Sequence, residues 1–173
     1  MVEARGDGKD PEMTSTSDLA AEVAALAARV QALDDVLAVH DVLVRYGLAV
    51  DAGDAAATAA LYADDCDVDI DGVVRFRGRQ DVHDMVLGDA HQAILGACAH
   101  LMGPYAVQVD GDRATAVGYA TVYVREDATI APWRQAYGRF ELERRDGTWQ
   151  ITKRVSRAVG SPIQSDVLGP AAS

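Results

Sequence analysis

Cysteine is nearly absent: Cys66 and Cys98 stand alone in 173 residues, without CxxC spacing or a clustered His/Cys set. That scarcity argues against a disulfide framework and against a structural zinc. Positive charge is also short, 16 basic against 27 acidic side chains for a net charge of -11, so phosphate backbones and anionic membranes are repelled. Neither nucleic acid nor a membrane is an expected partner. The late basic residues Arg139, Arg144, Arg145, Lys153, Arg154 and Arg157 are interleaved with Glu141, Glu143 and Asp146 and read as a solvated sheet face rather than an anion site. No stretch approaches the ~20 apolar residues of a membrane span, and Met1 to Asp18 contains no apolar core of a secretion signal. A cytoplasmic protein is expected.

What is present is apolar mass, 49% of a chain whose length suits one globular unit. The expected organisation is a flexible tail over 1–17, a folded domain over 18–159 and a tail over 160–173. That last segment, punctuated by Gly160, Pro162 and Gly169, either closes over a pocket or frays.

Leu19, Val23, Leu26, Val30, Leu33 and Leu37 recur at alternating four- and three-residue steps and share one helical stripe. The stripe needs a covering surface. Its own domain or a sister subunit suits it better than a free coiled coil, because it lasts under three heptads. Asp34 and Asp35 are expected to mark a break or new cap, after which Val39, Val42, Leu43, Tyr46 and Val50 form a second apolar face. Gly53 ends the helix and Asp54 caps a short one over about 55–62.

Val68 and Ile70, the Asp71-Gly72 turn, then Val73, Val74 and Phe76 read as a hairpin, and a helix runs from Gly78 to about Leu87. Period-two segments at 99–109, 113–125, 133–145 and 148–157, joined by turns such as Asp110-Gly111-Asp112 and Asp146-Gly147, complete an antiparallel meander. Helices first and strands later make the chain α+β rather than alternating βαβ. No internal repeat is present.

Four groups of residues then stand in one order: Arg45-Tyr46 through Asp51-Ala-Gly-Asp54, Ala60-Leu61-Tyr62-Ala-Asp64-Asp65, Ala99-His100-Leu-Met-Gly103, and Gly138-Arg139-Phe140 through Asp146-Gly147-Thr-Trp149. Together they resemble the SnoaL-like branch of the nuclear-transport-factor-two-like superfamily, over about residues 30 to 157. The pattern is similar to the scytalone dehydratase and hexachlorocyclohexane dehydrochlorinase families, which pair an Asp at the end of the first long helix with a strand His. Asp51 and His100 match those two positions. The resemblance implies a cone-shaped α+β barrel, with a strongly curved, mostly antiparallel sheet wrapped around N-terminal helices. It further implies a homodimer or homotrimer and proton-transfer chemistry without a cofactor. Neither the dehydratase family's second active-site His nor its strand Asn finds a matching position here, and His91 falls in an expected loop.

A neutral imidazole accepts a proton when a carboxylate holds its other nitrogen, so His100 is the candidate general base and Asp51 its support. The bland alternative makes Asp51 a cap and His100 a core residue. Tyr46, Tyr62, Tyr119 and Tyr137 are candidates to orient a substrate. Trp133 and Phe76 are candidate walls, and Arg139, in phase with Tyr137, is a candidate inward cation. Cys66 and Cys98 read as packing residues. No metal site is expected, since His40, His83 and His91 show no ligand spacing.

The expectation is a lyase or isomerase of dehydratase type acting on a hydrophobic small molecule, within secondary metabolism. The alternatives are a polyketide cyclase-type enzyme or a non-catalytic small-molecule-binding module of the same fold.

Overall fold

The computed structural model describes residues 16–168; of the expected tails, 1–15 and 169–173 lie outside the described residues, whereas 16–17 and 160–168 are described. Two units divide the chain, one ending at Leu33 and one beginning at Asp34. Described residues of the first are helical and exposed throughout. They open helix α1, Thr16–Asp51.

The Asp34-Asp35 pair does not break this helix. Asp35 is buried, and its carboxylate meets the Arg144 guanidinium at 2.7 Å, so an ion pair satisfies the side chain that would otherwise seek a backbone cap. From Asp35 onward α1 buries Val39, Val42, Leu43, Tyr46 and Val50, the expected second face, in the core of the second unit. Gly53, at φ 68°, terminates it in the left-handed conformation that lacks a penalty only without a Cβ.

Helix α2, Ala55–Ala60, is capped by the Asp54 carboxylate, which accepts the Ala57 N–H at 2.9 Å. Strands β1, Tyr62–Ile70, and β2, Val74–Arg77, form the hairpin read from the alternation of Val68 and Ile70. Helices α3, Arg79–Leu87, and α4, Asp89–Gln92, follow. The four long strands are β3, Cys98–Asp110, β4, Arg113–Glu126, β5, Thr129–Arg145, and β6, Thr148–Ala158.

One six-stranded sheet results, in the order β2-β1-β6-β5-β4-β3. Only the β1–β6 pairing is parallel; the others are antiparallel, so the fold is α+β with a mixed, mostly antiparallel sheet. Sequential antiparallel strands need only tight turns, which Gly111, Asp127 and Asp146-Gly147 supply at positive φ.

Side chains alternate between two faces, and the even positions Ala114, Ala116 and Val122 of β4 and Ala136, Phe140 and Leu142 of β5 are the buried ones. Two-residue phase holds only until a bulge. Between Ile151 and Lys153 the pairing of β6 with β5 slips by one residue, so Trp149 and Ile151 share their buried face with Arg154 and Ser156.

At the end of the described chain a short helix α5, Ser165–Leu168, buries Val167. Arg157 ties it down, contacting Asp166 at 3.0 Å and, in a bidentate pair, Asp69 at 3.0 Å through each Nη. Among the described residues no helix is long and apolar enough to cross a membrane.

Candidate active site

Gly47 lets the site form. A Cβ built there would lie 2.7 Å from the His100 carbonyl oxygen, a distance that packed atoms do not tolerate. Without one, α1 lies directly against β3, and Asp51, one turn further along the same helix face, reaches the same residue. Its Oδ2 accepts the His100 backbone N–H at 2.7 Å, and its Oδ1 lies 2.7 Å from His100 Nδ1. The Cys98 thiol, two residues earlier on the same strand face, donates to Oδ1 at 3.5 Å.

Because the carboxylate can only accept, Nδ1 carries the proton and Nε2 is left with its lone pair. Burial pushes the His100 pKa below that of an ordinary imidazole; Asp51 works against this, while Arg154 and His91 add to it. The imidazole is therefore neutral at pH 7. Burial first, and Asp51 second, hold the Cys98 thiol above its usual pKa, so it is protonated and a poor nucleophile. Donor atoms of Asp51, Cys98 and His100 lie within 4.8 Å of one another, the one group among the described residues with the composition of a metal cluster. Both the thiol and Nδ1 already spend their protons on Asp51, which makes the group complete as a hydrogen-bonded set.

His100 lines a cavity of about 330 Å³. Val50, Ile70, Phe76, Met85, Ile94, Met102 and Trp133 give it apolar walls, and Tyr46, His91, Arg134, Arg154 and Ser156 add polar groups. No residue of 160–168 lines it.

Of the candidate site residues singled out from the sequence, Tyr46, Phe76 and Trp133 reach this cavity with His100. Tyr62 does not: its ring is fully buried behind the wall, edge-on to Tyr46 at 5.9 Å. Tyr119, Tyr137 and Arg139 sit at odd positions of β4 and β5 and therefore occupy the opposite sheet face, away from the cavity. There Tyr119 and Tyr137 pair across the strands at 5.6 Å.

Two groups were missed. Arg154 is 8% exposed rather than part of a solvated face, because the β6 bulge turns it inward. Its Nη1 donates to the Tyr46 hydroxyl, its guanidinium stacks 4.7 Å from the Tyr46 ring, and its buried Nε has no partner. No carboxylate lies within 4 Å of it among the described residues. Arg134, by contrast, is neutralised by Asp71 at 2.7 Å. His91 is not in a loop but on α4, where Nε2 donates to the Val50 carbonyl at 2.9 Å and the ring lies 6.1 Å from that of His100. A four-residue helix offers too little periodicity to be read in advance, and Arg154, between Lys153 and Val155, carries no local signal of the slip.

The SnoaL-like domain profile matches residues 31–155. No curated protein matches the chain. Among solved structures, an NTF2-like protein with a cystatin-like fold from Novosphingobium aromaticivorans is 28% identical, with a TM-score of 0.79 over 91% of this chain and 99% of that one. A putative scytalone dehydratase from the same organism is 16% identical, with a TM-score of 0.64 over 73% and 85% of the two chains. LinA is 22% identical, with a TM-score of 0.64 over 73% and 86%. At these identities the last two show a shared fold.

Proposed function

Since the chain belongs to the SnoaL-like domain family, we propose that it is a cofactor-independent lyase or isomerase that begins its reaction by removing a carbon-bound proton from a hydrophobic small molecule. The observation that carries this reading is the 2.7 Å contact of Asp51 Oδ1 with His100 Nδ1 at the wall of an apolar cavity. The name of the putative scytalone dehydratase relative agrees with it.

In this mechanism Nε2 of neutral His100 accepts the proton from a carbon next to a carbonyl. The Nδ1 proton stays with His100, and Asp51 stabilises the imidazolium. Negative charge moves onto the carbonyl oxygen, and Arg154, a cavity-lining cation with no counter-carboxylate within 4 Å among the described residues, answers it through its charge. His100 then returns its proton. Where it goes decides the outcome: to a departing hydroxyl for dehydration, to another carbon for double-bond migration, or, in cyclisation, to the alkoxide left when the carbanion attacks a second carbonyl. The cavity accommodates a compact, largely apolar molecule.

The test works whatever the product is. Hydrophobic ketones and β-hydroxyketones are incubated with the protein in D2O, and deuterium entering carbon is read by NMR. Wild-type protein is expected to catalyse exchange for the accepted compound, and His100→Gln and Asp51→Asn to slow it by ~10²–10⁴-fold. Exchange that both variants sustain at the wild-type rate would sink the mechanism.

A further inference from the structure

We propose that the first half of α1 is a self-association device: residues 19–37 pair with the same helix of a second copy as a parallel, in-register two-stranded coiled coil. The stripe of Leu19, Val23, Leu26, Val30, Leu33 and Leu37 is 50% to 65% exposed at every position. In a heptad that sets Leu19 at d, the buried Asp35, Val39, Val42, Leu43, Tyr46 and Val50 of the same helix fall at f, c, f, g, c and g, so none of these buried side chains occupies an a or d position.

Three features on that face select a copy of itself as the occupant. Leu19, Leu26 and Leu33 fill the d positions and Val23 and Val30 the first two a positions, the β-branched-a, leucine-d combination that favours two parallel strands. Position g holds Arg29 and the following e holds Asp34, so in a parallel dimer each Arg29 faces Asp34 of the other copy, giving two opposite-charge contacts. The earlier pair, Glu22 at g with Ala27 at e, sets no like charges against each other. An antiparallel pairing would instead oppose g to g and e to e, and lose the complementarity.

Length is the standing objection, since the seam from Leu19 to Leu37 spans only about 27 Å at about 1.5 Å per residue. A free peptide that short would spend its association energy on forming the helix. Here α1 is already helical from Thr16 to Asp51, so that cost falls away.

Sedimentation equilibrium of the full chain between 1 and 100 µM tests the proposal. Wild-type protein is expected to weigh two chains at the upper concentrations, and Leu26→Asp/Val30→Asp one chain throughout, with the near-UV signal of its two tryptophans unchanged. Direction is read from disulfide formation: Leu19→Cys, at the d position that ends the seam, meets its own copy only when the helices run parallel, and is expected to cross-link at least tenfold faster than Ala28→Cys, at an outward f position. A monomeric or trimeric wild type, a dimer that survives the double substitution through the sheet face bearing Leu101 and Tyr119, or equal cross-linking rates would each overturn it.

Discussion

Arg154 carries a full charge into a cavity wall and meets there only tyrosine hydroxyls and aromatic rings. Burying a cation without a counter-ion costs free energy that folding alone does not recover, which is what the proposed role of Arg154 toward a developing oxyanion would explain. Arg154→Met is expected to slow proton exchange by ~10²–10³-fold, the loss typical of one donor to a developing oxyanion. The same change removes a positive neighbour that lowers the His100 pKa. The His100 titration midpoint therefore moves up in the variant, read by NMR; a rate loss with no upward shift would mean that Arg154 acts only on packing.

Residue by residue, the meeting of Asp51 with His100 was legible through the family resemblance, since the local signals alone, a helix end and a strand histidine, read equally as a cap and a core residue. For Tyr119, Tyr137 and Arg139 the choice of face was not legible, because period two leaves two equivalent faces and only the partner strand says which is inner. Arg154 was hidden by one extra residue in β6, which reverses the phase of everything after it.

Among the elements, α1 and β3 carry the site, and Gly47 sets their separation. Gly47→Ala would drive its Cβ toward the His100 carbonyl, and the two elements must part by several tenths of an ångström. That displacement acts directly on Asp51. The expected cost is ~1–3 kcal/mol of stability, seen as a lower Tm, with exchange slowed by up to ~10²-fold. An unchanged Tm together with an unchanged rate would show that the close approach is dispensable. The elements themselves were mostly readable: the observed strands 98–110, 113–126, 129–145 and 148–158 differ from the expected ones by a few residues at their ends. Helix α4 and the unbroken passage of α1 through Asp35 were not readable, since the first is one turn long and the second depends on Arg144, more than a hundred residues away.

For the whole molecule, the decisive property is dryness. Desolvation is the largest influence on His100, and it arises from α1, α3, α4 and five strands closing apolar side chains around one imidazole. With the folded pKa below the unfolded value of ~6.5, the unfolded chain binds the proton more readily. His100 therefore contributes stability above the unfolded pKa, and that contribution is lost as pH falls toward the folded one. The most direct test is a long-range 1H–15N NMR titration of the His100 ring, assigned with His100→Gln and followed in folded and urea-unfolded protein. The account predicts, for the folded chain, a neutral ring at pH 7 with its proton on Nδ1 and a midpoint below that of the unfolded chain. A proton resting on Nε2, or a midpoint equal to the unfolded one, would contradict it.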